Sequence, residues 1–413
     1  MVDRRFVKNL DYTLIIAVFL ILCFSLAIIS SATLVSSPRD FREHQETLSE
    51  DASGIDGQVA EQPIGVSILK YSKVFFSDLV KKQIFIIFLG VLVLIILLSM
   101  PYEDLRRHRK AIYLLNLILL LIVLSPIGHS AKGATRWINV GLPFLLQPSE
   151  FAKVAITITF ADFLAKREGK LNSLKELIPC FLHIGIPMLL ILKQPDLGTS
   201  LIFVAITFGM LFVAGANPKL LAGLFVGGWS TAIAWVWMHF KFGLWIPLQD
   251  YQLDRLLVFL DPWKEWHGSG YHIVQSQIAI GSGGLTGKGL YNGSQNQLNF
   301  LPEQHTDFIF SVVGEELGFI GVTLLLFLFL IVLFRAIRIA SQAKDLFGAL
   351  LATGVASMLT FHILINVGMV SGIMPVTGVP LPFFSYGGSS MLANMIATSM
   401  LLNVYMRRQK ILF

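Results

Sequence analysis

The 61 residues LFGALLATGVASMLTFHILINVGMVSGIMPVTGVPLPFFSYGGSSMLANMIATSMLLNVYM, 346–406, contain no Asp, Glu, Lys or Arg. A helix crosses the roughly 30 Å hydrocarbon layer of a membrane with about 20 apolar residues, so this stretch is long enough for two crossings. Gly372, Pro375, Gly378, Pro380, Pro382, Gly387 and Gly388 gather in its middle. Such residues interrupt helices and predict a non-helical link between the two spans.

Further charge-free windows lie at 12–38, 83–102, 111–131, 197–218, 220–240 and 317–334, each room for one helix. Two weaker spans carry polar groups: 148–165 holds Glu150, Lys153 and Asp162, and 177–192 holds His183, Pro179 and Pro187. Both are predicted to line something polar. The reading is an all-α integral membrane protein of about ten helices, one polytopic unit over 1–413. Its first span is too long and apolar for a signal-peptide core and is read as a retained anchor.

Composition agrees, with 54% hydrophobic and 14% charged residues against the near-quarter charged content of soluble chains. That excludes a cytosolic enzyme, a disordered tail and a secreted disulfide scaffold. Cys23 and Cys180 fall in apolar runs and read as packing residues. The net charge of +6 is scattered in short clusters between spans, which argues against nucleic acid as a partner. With the N-terminus inside, 18 of the 32 Lys and Arg fall in short cytoplasmic pieces, predicting both termini in the cytoplasm.

Two segments are then extracytoplasmic. The first, 36–78, is polar and acidic and reads as a flexible insertion. The second, 241–307, lies between the seventh and eighth helices. It holds six carboxylates, three histidines and the glycines Gly283, Gly284, Gly287, Gly289 and Gly293. A long segment with that chemistry is more often functional than idle.

Asp261 stands in Phe259-Leu260-Asp261-Pro262-Trp263. Apolar neighbours there would desolvate a general base, while the plainer alternative is a turn-initiating Asp-Pro. Gln147-Pro148-Ser149-Glu150 opens a helix with Lys153 one turn on and Arg136-Trp137 upstream. Helix start and cations suit a phosphate; equally, Arg136 and Trp137 would anchor at headgroups and Glu150 would pair Lys153. Asp196 reads first as an N-cap. Asp307 is explained by capping, but Glu315 entering an apolar helix is not. Metal-ligand spacings, a Walker loop and a serine elbow are missing from the sequence. A Mg²⁺ or Mn²⁺ held loosely between a carboxylate and a substrate pyrophosphate stays open.

Taken together, Gly133-Ala134-Thr135-Arg136-Trp137, Gln147-Pro148-Ser149-Glu150, Gln194-Pro195-Asp196-Leu197-Gly198-Thr199, the run 278–285, the run 300–310 and Ser385-Tyr386-Gly387-Gly388-Ser389-Ser390 resemble the SEDS family (shape, elongation, division and sporulation). Gly270-Tyr271-His272-Ile273-Val274-Gln275-Ser276 and Thr377 are similar to its elongation branch, RodA, rather than to the division branch, FtsW. The resemblance implies a glycosyltransferase that polymerises lipid II into β-1,4-linked glycan on the outer face of the bacterial plasma membrane. It implies Asp261 as the essential acid, a divalent cation, a class B penicillin-binding transpeptidase and other elongation-complex membrane proteins as partners. The substrate-binding candidates are Arg136, Trp137, Gln147, Glu150, Lys153, Asp196, His305, Asp307, Glu315 and Ser385. The rival class is a flippase or transporter of the lipid-linked precursor; within the family, a division- or sporulation-branch polymerase is the alternative. A flippase places its key charges near the bilayer midplane, whereas Asp261 falls in an outer segment, and no inverted repeat is visible.

Overall fold

Several helices begin where a side chain takes up an amide that the first turn leaves unpaired. Asp11 accepts from the Leu14 amide, Ser77 from Val80, Asp196 from Thr199, Asn217 from Lys219 and Asp345 from Gly348. Ser173 closes a reciprocal pair with Glu176. The computed structural model describes residues 9–33, 77–131, 134–246, 248–263, 269–301 and 303–408. Nearly all of the 36–78 insertion lies outside them.

In chain order the elements are α1 (Tyr12–Ala32), α2 (Asp78–Ser99), α3 (Tyr102–Arg107) and α4 (Arg109–Val123), then a hairpin of β1 (Gly128–Ala131) and β2 (Ala134–Ile138). They continue as α5 (Pro148–Ala165), α6 (Leu174–Lys193), α7 (Leu197–Val213), α8 (Pro218–Phe242), α9 (Asp250–Leu260), α10 (Ser269–Gly283) and α11 (Ser294–Gln297). The last three are α12 (Ile309–Ser341), α13 (Leu346–Val370) and α14 (Gly388–Met406). Six of these, α1, α2, α6, α8, α12 and α13, are long and apolar enough to cross a membrane.

The hub is α13, which packs against α5, α7, α12 and α14; α14 lies along α2, and α12 along α1 and α10. In contrast α8 rests on α7 and buries only Leu221. Its exposed Trp229, Ile233 and Trp237 suit a lipid-facing surface.

Some expected boundaries shift. The 83–102 window begins at Asp78, because Lys81 and Lys82 sit in the first turns, where charge is tolerated. The 111–131 window ends as helix at Val123, and Gly128–Ala131 pairs antiparallel with Ala134–Ile138 instead, adding a two-stranded sheet to a helical chain. The 317–334 span extends to 309–341 and carries Glu315 and Glu316 inside it. The long segment 241–307 carries three helices, α9, α10 and α11, and α10 docks on the body: Ser276 Oγ donates to the Val370 carbonyl at 2.7 Å.

The glycines of that segment have a geometric reason. Gly318 breaks α12 with φ 61° and ψ −158°. The backbone at 284–289 fills the break: the amides of Phe319 and Ile320 donate to the carbonyls of Gly284 and Leu285, and those of Lys288 and Gly289 to Glu315 and Glu316. Broken helices survive in a membrane when protein re-satisfies the freed groups in this way. The approach leaves no room for side chains. A Cβ on Gly283 would lie 1.9 Å from the Gly314 carbonyl oxygen, and one on Gly287, whose φ is +78°, 2.1 Å from that of Glu316.

Gly287→Ala is therefore expected to lower stability by about 1–3 kcal/mol through overpacking. Gly281→Ala, with nothing within 4 Å of its Cβ, leaves stability near wild type. Thermal melting of the purified variants in detergent checks the contrast.

Candidate functional site

The hairpin, the 371–387 link, the 303–308 turn and α9 converge on the first turn of α14. They enclose a cavity of ≈ 370 Å³. Arg136 and Trp137 reach it from β2, Gln147 from the start of α5, and Arg255 from α9. Glu303, Thr306 and Asp307 line another wall, and Tyr386 to Ser390 close it.

Each cation is oriented by backbone. Arg136 donates through Nε to the Gln194 carbonyl at 3.2 Å and through Nη2 to the Pro195 carbonyl. Arg255 donates through Nη1 to the Val376 carbonyl at 3.2 Å. The α14 N-terminus, Gly387-Gly388-Ser389-Ser390, has no side-chain cap and lines the cavity beside these guanidiniums. Uncapped amides, the helix dipole and two arginines make a site for an anionic oxygen-rich group. Burial raises the pKa of the Tyr386 phenol, which keeps it a hydrogen-bond donor at neutral pH.

The candidates from sequence divide. Arg136, Trp137, Gln147 and Asp307 line this cavity together. Asp196 stands behind it as the N-cap of α7, accepting from the Thr199 amide at 3.2 Å, Thr199 Oγ1 at 2.8 Å and Ser149 Oγ at 3.1 Å. Its carboxylate lies 4.0 Å from Arg136, so it helps hold the guanidinium. His305 supports the wall: its carbonyl accepts from the Tyr386 amide, and its ring meets the Tyr386 ring edge to face. Ser385 holds the link, donating to the Thr306 carbonyl at 2.7 Å and accepting from the Leu381 amide at 2.8 Å.

Glu150, Lys153 and Glu315 take other roles. Lys153 is 1% exposed, and its Nζ lies 2.8 Å from Glu150 Oε1 and 2.7 Å from His362 Nε2. Glu315, fully buried, accepts from Lys288 Nζ at 2.8 Å and from the Gln295 amide at 2.9 Å, and so anchors the start of α11. Among the described residues, the cavity lining includes Arg255 but not Glu150, Lys153, Glu315 or Asp261. Asp261 is the C-cap of α9, partly buried, six residues beyond Arg255, or about 9 Å along the helix axis.

Sequence reading missed Arg255, Glu303 and Tyr386. Glu303 and Tyr386 sit inside motifs already singled out, but nothing local tells Glu303 from Asp307. Arg255 carries no motif, and only the course of α9 brings it in. Among the described residues no group of three His, Cys, Asp or Glu is arranged to hold a metal. Glu303 and Asp307 do line one cavity, and one or two carboxylates suffice for a Mg²⁺ that is also bound by substrate phosphates.

Comparison with known proteins gives a consistent match. The family model described as cell cycle protein, FtsW/RodA/SpoVE, matches residues 65–410. The peptidoglycan glycosyltransferase MrdB of Escherichia coli (strain K12) is 38% identical over 331 residues, covering 80% of this chain and 86% of that protein. Stage V sporulation protein E of Bacillus subtilis (strain 168) is 39% identical over 337 residues, covering 81% and 88%. A chain of a solved peptidoglycan synthase complex, described as coordinating polymerization and crosslinking, superposes with a TM-score of 0.73. It is 29% identical, with 97% of this chain and 99% of that chain covered.

Lys153→Met leaves Glu150 and His362 without their shared partner inside the helix bundle. It is expected to cost about 3–5 kcal/mol of stability, the usual penalty for stranding a buried charge. A melting temperature equal to wild type would remove the structural role assigned to Lys153.

Proposed function

Because this chain belongs to the FtsW/RodA/SpoVE family of cell cycle proteins, we propose that it is a peptidoglycan glycosyltransferase of the elongation type that polymerises lipid II. It is a multi-pass membrane protein. The observation that carries the site reading is the cavity in which Arg136, Arg255 and the uncapped N-terminus of α14 converge, a built receptor for the pyrophosphate of a lipid-linked sugar.

Chain extension breaks the bond between the sugar C1 and its pyrophosphate oxygen and forms a β-1,4 bond to the acceptor hydroxyl, with inversion at C1. Asp261 takes the hydroxyl proton. Arg136, Arg255 and the α14 amides meet the charge that grows on the departing pyrophosphate, so that group needs no protonation. Tyr386 donates to the same oxygens. Glu303 and Asp307 would hold a Mg²⁺ or Mn²⁺, which neutralises pyrophosphate charge when bound. Asp196 positions Arg136 from behind and Gln147, which donates to Asp196, lines the cavity beside it; Trp137 offers an apolar face to the sugar or lipid.

The elongation assignment rests on Gly270 to Ser276 and on Thr377. Identity does not separate the branches, since the sporulation relative scores as high as the MrdB protein. The likeness to a synthase complex supports a class B penicillin-binding transpeptidase as partner. The clusters Arg106 to Lys110 and Arg407 to Lys410 support an orientation with both termini in the cytoplasm.

Asp261→Asn is expected to reduce glycan synthesis from labelled lipid II by about 10²–10⁴-fold, the usual contribution of a general base, with melting unchanged. Near wild-type synthesis removes the base role. Arg255→Ala should weaken lipid II use about ten- to a hundredfold, as loss of a charged hydrogen bond does; an unchanged KM and kcat detach the cavity from the reaction. For orientation, in a chain lacking Cys23 and Cys180, a cysteine replacing Ser269 is expected to label from outside intact cells, and one replacing Ser341 only after permeabilisation. The reverse pattern inverts the topology.

A further inference from the structure

At the opposite end of the bundle from the 241–307 segment, α4, α5 and α6 enclose a second cavity of ≈ 310 Å³ that the polymerase reading does not use. Four cations line it, Arg109, Lys110, Lys166 and Arg167, against one carboxylate, Asp162. That carboxylate is already saturated. Asp162, 1% exposed, accepts from Arg106 Nε at 2.9 Å and Lys166 Nζ at 2.7 Å, and forms an ion pair with Arg109, whose Nε lies 2.8 Å away. Lys110 and Arg167 therefore add positive charge that Asp162 does not neutralise. Within α3, Glu103 is paired with Lys344.

The remaining wall is aromatic. The His183 ring stacks between Tyr113 and Phe163 at 4.5 and 4.7 Å, and the Arg167 guanidinium lies 3.7 Å above the Phe163 ring. Tyr113 holds this stack through its hydroxyl, which donates to the His183 carbonyl at 2.9 Å. One turn further along each helix the surface is apolar and open. Leu114 follows Lys110 on α4 and is 59% exposed, and Ile186 follows His183 on α6 and is 49% exposed. A cationic mouth continuous with exposed aliphatic residues matches a ligand with a phosphate head and acyl tails, and not a free solute alone.

We propose that this cavity binds the phosphodiester of an anionic glycerophospholipid from the leaflet facing the basic end of the bundle. Lys110 and Arg167 hold the phosphate, and Leu114 and Ile186 hold the chains. Occupation by the headgroup neutralises the excess charge between α4, α5 and α6. The site is independent of Asp261 and of the cavity at α14.

Native mass spectrometry of the purified full chain tests it, with dioleoylphosphatidylglycerol against dioleoylphosphatidylcholine, so that only the headgroup differs. Wild type is expected to retain the anionic lipid preferentially. Lys110→Gln and Arg167→Gln, which spare the Asp162 pairs, are each expected to weaken retention about fivefold while keeping the melting temperature. Lys110→Arg should retain the lipid. Equal retention of the two lipids by wild type, or unchanged retention by the Lys110→Gln/Arg167→Gln double variant, overturns the proposal. Inorganic phosphate displacing nothing up to millimolar concentration agrees with a lipid site. Phosphate competing fully, with no dependence on acyl chains, assigns the cavity to the free anion and also overturns it.

Discussion

A polar group that this chain carries into its helix bundle is costly unless it finds a partner within the protein, because the surrounding lipid offers none. The pairs that result fix the arrangement of helices. Asp11 at the start of α1 meets Arg335 of α12, with Nε 2.8 Å from Oδ2. Asp162 of α5 gathers Arg106 of α3 and Arg109 of α4. Lys153 joins α5 to α13 through His362. Asn403 of α14 donates to the Leu97 and Met100 carbonyls at the end of α2 and accepts from the Tyr102 amide. Each contact ties helices that are distant in sequence, and each is costly to break in part, since the survivor is a stranded polar group.

The same constraint explains how the segment between α8 and α12 becomes part of the core. Gly318 opens α12, and the 284–289 backbone enters the gap to supply the missing hydrogen bonds. Glu315 and Glu316 stand beside the break and are consumed by it: Glu315 holds Lys288 and the α11 amides, and Glu316 accepts from Ser31 Oγ and Asn296 Nδ2. This welds α1, α11 and α12 together under the segment that carries α9. The rigid base lets a short helix present Arg255 toward the cavity and Asp261 at its far end.

The cavity at α14 gathers what an anion needs at one helix start. Asp11, Ser77 and Asp345 cap the helices that follow them with their own side chains. At Gly387 no side chain does so, and residues 387–390 line the cavity beside two guanidiniums that also donate to backbone carbonyls. Gly388 allows Phe144 to close the wall, for a Cβ there would lie 2.2 Å from that ring.

Sequence by itself determined the membrane class, the position of most long helices and the broken link after α13, because lipid imposes a length and an absence of charge that can be counted along the chain. It also marked Arg136, Gln147, Asp307 and the 385–390 motif, which the fold does bring to one place or its walls. It did not separate ligand-facing groups from structural ones. Glu150, Lys153 and Glu315 looked like binding residues because a charge in an apolar run demands an explanation. Glu150 pairs with Lys153 three residues on, which the spacing allowed, while Lys153 also meets His362 and Glu315 meets Lys288 and the α11 amides. These last partners lie tens to hundreds of residues away, so no local pattern announces them. Arg255 stayed hidden for the converse reason: its surroundings in sequence are ordinary, and only the docking of α9 beside Val376 turns it into the wall of a site. Period and composition are set by the solvent around each helix; which polar groups face one another is set by how the helices pack, and that only the tertiary structure decides.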